Sequence, residues 1–172
     1  MTARLAIWRN AIFLWILFVA ILGVSAPGFS QSKPFTAMRN GIYEVDFPLV
    51  KPEQIADLSN YQVLDTRELE EFEVSHLPGA IWVGYDHFDI SATTHLIKDQ
   101  PVLVYCTVGA RSQAIGKRMI ELGFTRVYNL YGGLIHWANL GMPIESDGLP
   151  TDRVHTYSLA WGIWLKRGKQ VY

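Results

Sequence analysis

Hydrophobic positions fall into two regimes along the chain. Residues 11–26 form an unbroken apolar run, whereas beyond residue 33 apolar and polar positions alternate in short bursts. Within the second regime, "YEVDF" (43–47) alternates and stops at Pro48, which predicts a short strand. "KPEQIADLS" (51–59) places Pro52 at a helix start, with Ile55 and Leu58 on one face. "QVLD" (62–65) predicts a short buried strand, and "TRELEEFEVSHL" (66–77) opens a short helix with acidic residues near its N-terminus. Pro78-Gly79 breaks it, and "AIWV" (80–83) follows as another strand. "DHFDISATTHLI" (86–97) reads as a loop with a weak helix. "PVLVY" (101–105) is a continuous apolar strand of the kind buried on both faces. "SQAIGKRMIELG" (112–123) predicts a helix with Ala114, Ile115, Met119 and Leu122 inward and Gly123 at its end. "RVYNL" (126–130) is a strand, and "YGGLIHWANLG" (131–141) a turn and short helix. Strands alternating with helices predict an α/β fold, a mostly parallel sheet covered on both faces.

The first regime has a different purpose. Arg4 and Arg9 precede the apolar run, and small or polar residues follow it in "PGFSQS" (27–32). This is the pattern of a secretory signal peptide, with cleavage best placed before Gln31. The run is 16 residues long, short of the ~20 that span a bilayer, and an uncleaved membrane anchor stays open beside the signal peptide. The basic flank keeps the leading end in the cytoplasm. The remainder is therefore expected to be exported, periplasmic or otherwise extracytoplasmic, touching the inner membrane only through this segment if it is retained. Removing residues 1–30 takes away Arg4 and Arg9 and no acid, shifting the net charge from −1 to −3.

That balance, and the lack of any basic cluster, excludes a nucleic-acid partner. A single cysteine excludes an internal disulfide framework and a multi-cysteine metal site. His87, His95, His136 and His155 show no metal-ligand spacing, so neither a metal nor a cofactor is expected.

The one cysteine stands in "YCTVGARS" (105–112), where the buried strand ends and the next helix begins. Ligands of open α/β sheets collect at the carboxyl ends of strands. A helix N-terminus supplies free N–H groups and partial positive charge. Gly109 permits a tight turn that aims several N–H groups at one spot. Arg111 adds a permanent charge, and Ser112 is a natural helix cap. Each feature favours an anion at the centre of the loop, and the thiolate of Cys106 is such an anion.

The loop "CTVGARS" resembles the active-site loop of rhodanese-type sulfurtransferases. "VLDTRELEEFEVSHLPGAIWV" is similar to that family's first signature, an Asp-x-Arg followed by Glu-Phe and then His-x-Pro-Gly-Ala. "VYNLYGGLIHWANLGMPI" resembles its closing segment. The sequence departs from the family with Ser75 where Gly is common and Trp82 where Asn is common. The resemblance implies a rhodanese-like domain over residues 38–146, with a five-stranded parallel sheet flanked by helices. Residues 1–30 are then the signal or anchor, 31–37 a linker and 147–172 a C-terminal aromatic and basic extension. It further implies that Cys106 takes the outer sulfur of a small donor such as thiosulfate. The resulting persulfide is cradled by Thr107, Val108, Gly109, Ala110, Arg111 and Ser112, and a thiophilic acceptor, small molecule or protein, removes the sulfur. Cys106 and Arg111 enclose four residues, whereas related dual-specificity phosphatases enclose five to admit a phosphate.

Beside this reading stand a non-enzymatic sulfur carrier or binding module and, disfavoured by loop length, a phosphatase or arsenate reductase. Asp65 and Arg67 are supporting residues, read first as a structural ion pair or helix cap and second as a brace for the loop. His76 is expected to order its turn through backbone hydrogen bonds rather than act as a base. In the extension, "HTYSLAWGIWLKRGK" (155–169) puts Tyr157, Trp161, Trp164 and Leu165 on one helical face. Packing back onto the domain is the first expectation, ahead of a membrane surface or a partner, and Gly162 weakens the helix.

Overall fold

In the computed structural model, the described residues are 35, 37, 41–44 and 46–172. The apolar run 11–26 lies outside them. Among the described residues no helix is long and apolar enough to cross a membrane.

Five parallel strands form the central sheet: β1 (Leu49–Val50), β2 (Gln62–Asp65), β3 (Ile81–Trp82), β4 (Val102–Tyr105) and β5 (Val127–Leu130), in the order β1-β5-β4-β2-β3. All four residues of β4 are buried, as its uninterrupted apolar pattern requires. Alternate side chains serve opposite faces. Val102 and Val104 join Leu64, Ile115 and Met119 in one cluster, while Leu103 and Tyr105 join Val63, Leu134 and Trp137 in the other. The helices α2 (Ala110–Glu121) and α3 (Gly133–Asn139) supply those partners and so cover the two faces. A fully buried Leu or Val contributes about 1.5–3 kcal/mol, so β4 anchors the fold. From β2 the chain moves outward to β3, and from β4 outward to β5 on the other side. The crevice between the carboxyl ends of β2 and β4 is thus the topological switch point, and Cys106 follows β4 there.

Several local expectations are corrected. The described residues of 43–47 are turn and bend, and the first strand is Leu49–Val50. Tyr43 and Phe47 serve the cysteine loop and the α2 face instead of a sheet. Residues 51–59 do not form a helix. They make single 3-10 turns at Pro52–Gln54 and Leu58–Asn60, because the Asp57 carboxylate accepts the Ser59 N–H at 2.9 Å and restarts the chain. The short acidic helix is α1 (Leu69–Val74). The helix α2 begins two residues earlier than expected, and Ala114 points outward while Gln113, Ile115, Gly116 and Met119 are buried.

The extension is not one amphipathic helix. Only α4 (Leu159–Gly162) is helical, between the paired parallel strands β8 (Arg153–His155) and β9 (Lys169–Val171). The strands β6 (Glu145–Ser146) and β7 (Leu149–Pro150) precede them as a hairpin. As first expected, the segment packs back. Trp161 and Trp164 lie against Phe35, Val108 and Ile135, and Leu165 against the cluster around Trp137.

Candidate active site

The thiol of Cys106 is buried, and the Gly109 N–H donates to its Sγ at 3.1 Å. What turns this N–H inward is visible in the carbonyls of the same loop. The Cys106 and Thr107 carbonyls accept from the Leu134 and Ile135 N–H groups at the start of α3, at 2.9 and 3.1 Å. The Val108 carbonyl accepts from the Tyr43 hydroxyl at 2.6 Å, and the Gly109 carbonyl from Asn129 Nδ2 at 2.8 Å. Four consecutive carbonyls are thus tied to outside donors. The loop N–H groups and the first N–H groups of α2, which have no intrahelical partner, are left for an anion.

Gly109 is required twice over. Its φ of 106° lies in the left-handed region, and a Cβ there would sit 2.2 Å from the Tyr43 hydroxyl. This left-handed residue is also the cap position of α2, which corrects the expectation for Ser112. Ser112 lies inside the first turn of α2, fully buried, and its hydroxyl donates to Asn129 Oδ1 at 2.8 Å. Asn129 thereby holds the loop and the helix start together from β5.

Arg111 does not face the loop centre as an unpaired cation. Its Nη1 donates to Glu71 Oε2 at 2.6 Å, and its Nη2 to Glu71 Oε1 at 2.8 Å and Thr107 Oγ1 at 3.0 Å. The Thr107 hydroxyl donates to Glu71 Oε1 at 3.0 Å. Burial pushes the Glu71 carboxyl up, but hydrogen bonding from Arg111 and the charges of Arg111 and Arg67 outweigh it, holding the carboxyl below its ordinary value. Burial likewise works against the Arg111 cation, and the bond to Glu71 with the charges of Cys106 and Glu71 more than restores it. In the sequence Glu71 is one acid among several favouring a helix N-terminus, and the structure makes it the carboxylate of the cysteine loop. Its signal was the Glu-Phe of the signature, Glu71-Phe72.

Asp65 and Arg67 form a fully buried ion pair at 2.6 Å. Arg67 Nη2 also donates to the Ser75 carbonyl at 2.6 Å, and the Tyr105 hydroxyl donates to Asp65 Oδ2. Burial raises the Tyr105 phenol well above its ordinary value, with Asp65 adding to the effect, so it stays a donor. The pair therefore fastens the end of β4 through Tyr105, one residue before Cys106. Ser75 needs no glycine freedom, since its φ of −173° is extended backbone, and the indole N–H of Trp82 donates to the Arg67 carbonyl at 2.8 Å. His76 orders its turn. Its ring stacks on Phe72 at 3.9 Å, its Nδ1 lies 3.0 Å from the Phe72 carbonyl, and its backbone exchanges hydrogen bonds with Glu145.

The extension brings two residues that the sequence left outside the site. His155 Nδ1 lies 3.9 Å from Glu71 Oε1, and burial pushes its imidazole down from its ordinary value despite the Glu71 charge. The Tyr157 ring centre lies 4.8 Å from Arg111 Cζ. Neither residue had a motif to mark it.

A family model described as a rhodanese-like domain matches residues 51–140. A sulfurtransferase from Allochromatium vinosum is 33% identical over 92 residues, 54% of this chain and 85% of that protein. The thiosulfate sulfurtransferase GlpE of Actinobacillus succinogenes is 31% identical over 103 residues, 58% of this chain and 92% of that protein. Among solved structures, the rhodanese-like domain of the Alr3790 protein from Anabaena sp. shares the fold. Its TM-score is 0.53 at 23% identity, over 59% of this chain and 80% of that one.

Proposed function

The chain belongs to the rhodanese-like family, and from that premise we propose that it is a sulfurtransferase working through a persulfide on Cys106. The observation that carries this is the outward tethering of four successive loop carbonyls, with the Gly109 N–H on Sγ. Such a cradle stabilises a sulfur anion without a general base. In the charging step the Cys106 thiolate attacks the outer sulfur of a thiosulfate-like donor. A new S–S bond forms, the old one breaks, and sulfite leaves with the electron pair. A thiophilic acceptor then takes the outer sulfur and regenerates the thiolate, a ping-pong route through a covalent intermediate. The sulfur-carrier alternative shares the charging step and differs in the second, whereas a binding module performs neither.

Phosphate chemistry fits less well. Cys106 and Arg111 enclose four residues, one fewer than the related phosphatases use to admit a phosphate. The amino-terminal sequence supports an exported protein, and the mass of the mature N-terminus decides between cleavage and anchoring. The function is tested by thiocyanate formation from thiosulfate and cyanide. The native protein turns over and Cys106→Ser does not. Equal rates for the two overturn the proposal.

A further inference from the structure

Tyr157 lies beyond the residues shared with the family model, yet its ring covers Arg111. Its φ is 66°, in a left-handed region that aromatic residues avoid. Burial does not explain the position, because the residue is 56% exposed. The surroundings impose it. The Tyr157 N–H donates to His155 Nδ1 at 3.1 Å. The preceding Thr156 is fully buried, with its N–H on the Val171 carbonyl at 2.9 Å and its hydroxyl bonded to Ser158 O and Gln170 Nε2, each at 3.2 Å. Strain kept by an over-determining scaffold is characteristic of functional sites.

Through the Tyr157 ring this arrangement reaches Arg111 in the loop helix. A guanidinium has five N–H groups. Among the described residues, Glu71 and Thr107 take three of them. The remaining two donors carry no hydrogen bond among the described residues, which leaves them for an incoming anion. A cation held between a carboxylate and an aromatic face has one orientation rather than many.

We propose that Tyr157 is a positioning residue that sets donor specificity, its ring holding the Arg111 guanidinium on Glu71 so that a fixed cation meets a dianionic sulfur donor. The inference rests on the persulfide reading above. The extension thereby becomes part of the site, selecting donors by charge in the first half-reaction while leaving the sulfur chemistry to the loop.

The test uses the full chain in detergent and two substitutions, Tyr157→Phe and Tyr157→Leu. Both keep an L side chain at the left-handed position, so the backbone burden is shared, and they differ in the π face. Persulfide formation is followed with thiosulfate, a dianion, and benzenethiosulfonate, a monoanion with the same sulfane sulfur. In each case the Cys106 thiolate bonds the outer sulfur, and sulfite or benzenesulfinate leaves with the electron pair. Tyr157→Leu is expected to raise the thiosulfate KM about two- to fivefold with little change in the maximal charging rate. The benzenethiosulfonate KM should rise less, and Tyr157→Phe should recover most of the native value. Equal behaviour of the two variants, or equal effects on the two donors, overturns the inference while the persulfide reading stands. A native protein that charges with neither donor overturns both.

Discussion

The Glu71 carboxylate grips the Arg111 guanidinium with both oxygens, at 2.6 and 2.8 Å, and shares one of those oxygens with the Thr107 hydroxyl. One short helix is thereby fastened to both ends of the cysteine loop. Glu71→Ala leaves a largely buried cation without its partner and should cost about 2–3 kcal/mol in urea unfolding. Arg111→Ala alone should also destabilise. The double variant should lose less than the sum of the two, which a double-mutant cycle measures directly.

Acid should act on this cluster in two stages. His155 titrates in the folded state below its ordinary value of 6.5, so the unfolded chain takes up the proton first as pH falls. Its contribution is complete above about pH 6.5 and is lost as pH drops through the lower folded value. Glu71 is also held below its ordinary value, 4.5. The stability it lends is present above that pH and disappears as pH falls through the folded value. Unfolding free energy measured from pH 8 to pH 3 should fall in both windows, and His155→Gln should remove the upper one.

Gly109→Ala combines a left-handed backbone with a clash against Tyr43. A stability loss of about 1–3 kcal/mol is expected. Because the Gly109 N–H is the group on Sγ, persulfide formation should fall well beyond what the unfolded fraction accounts for. Measuring charging rate and unfolding on the same sample separates the two effects.

Asn129 ties the Gly109 carbonyl to the Ser112 hydroxyl, and it is fully buried. Asn129→Ala strands both partners and should cost about 2–3 kcal/mol. Ser112→Ala should cost less, since Ser112 is not the helix cap. A thermal unfolding comparison that ranks Ser112 above Asn129 would contradict this geometry.

The centre of the sheet was legible because β4 is a continuous apolar run and β2 beside it carries the buried pair Val63 and Leu64, and a strand buried on both faces has few other sequences. The cysteine loop was legible because Gly109 and Arg111 follow Cys106 at fixed spacing. Two of the local errors share one cause, namely side chains that satisfy a distant partner instead of their own element. Ser112 looks like a cap until Asn129 claims its hydroxyl. Tyr43 looks like a strand residue until its hydroxyl is found on Val108. The extension was the least legible part. Trp161 and Trp164 fit a helical period, but the chain turns at Tyr157 and pairs β8 with β9, so helical spacing carried no information there.

The central claim is the Cys106 persulfide, and intact-mass measurement of the full chain after brief exposure to thiosulfate tests it most directly. The native protein should gain one sulfur atom, about 32 Da, which cyanide removes and which Cys106→Ala never acquires. No gain in mass, with the Cys106 thiol shown to be free beforehand, would contradict it.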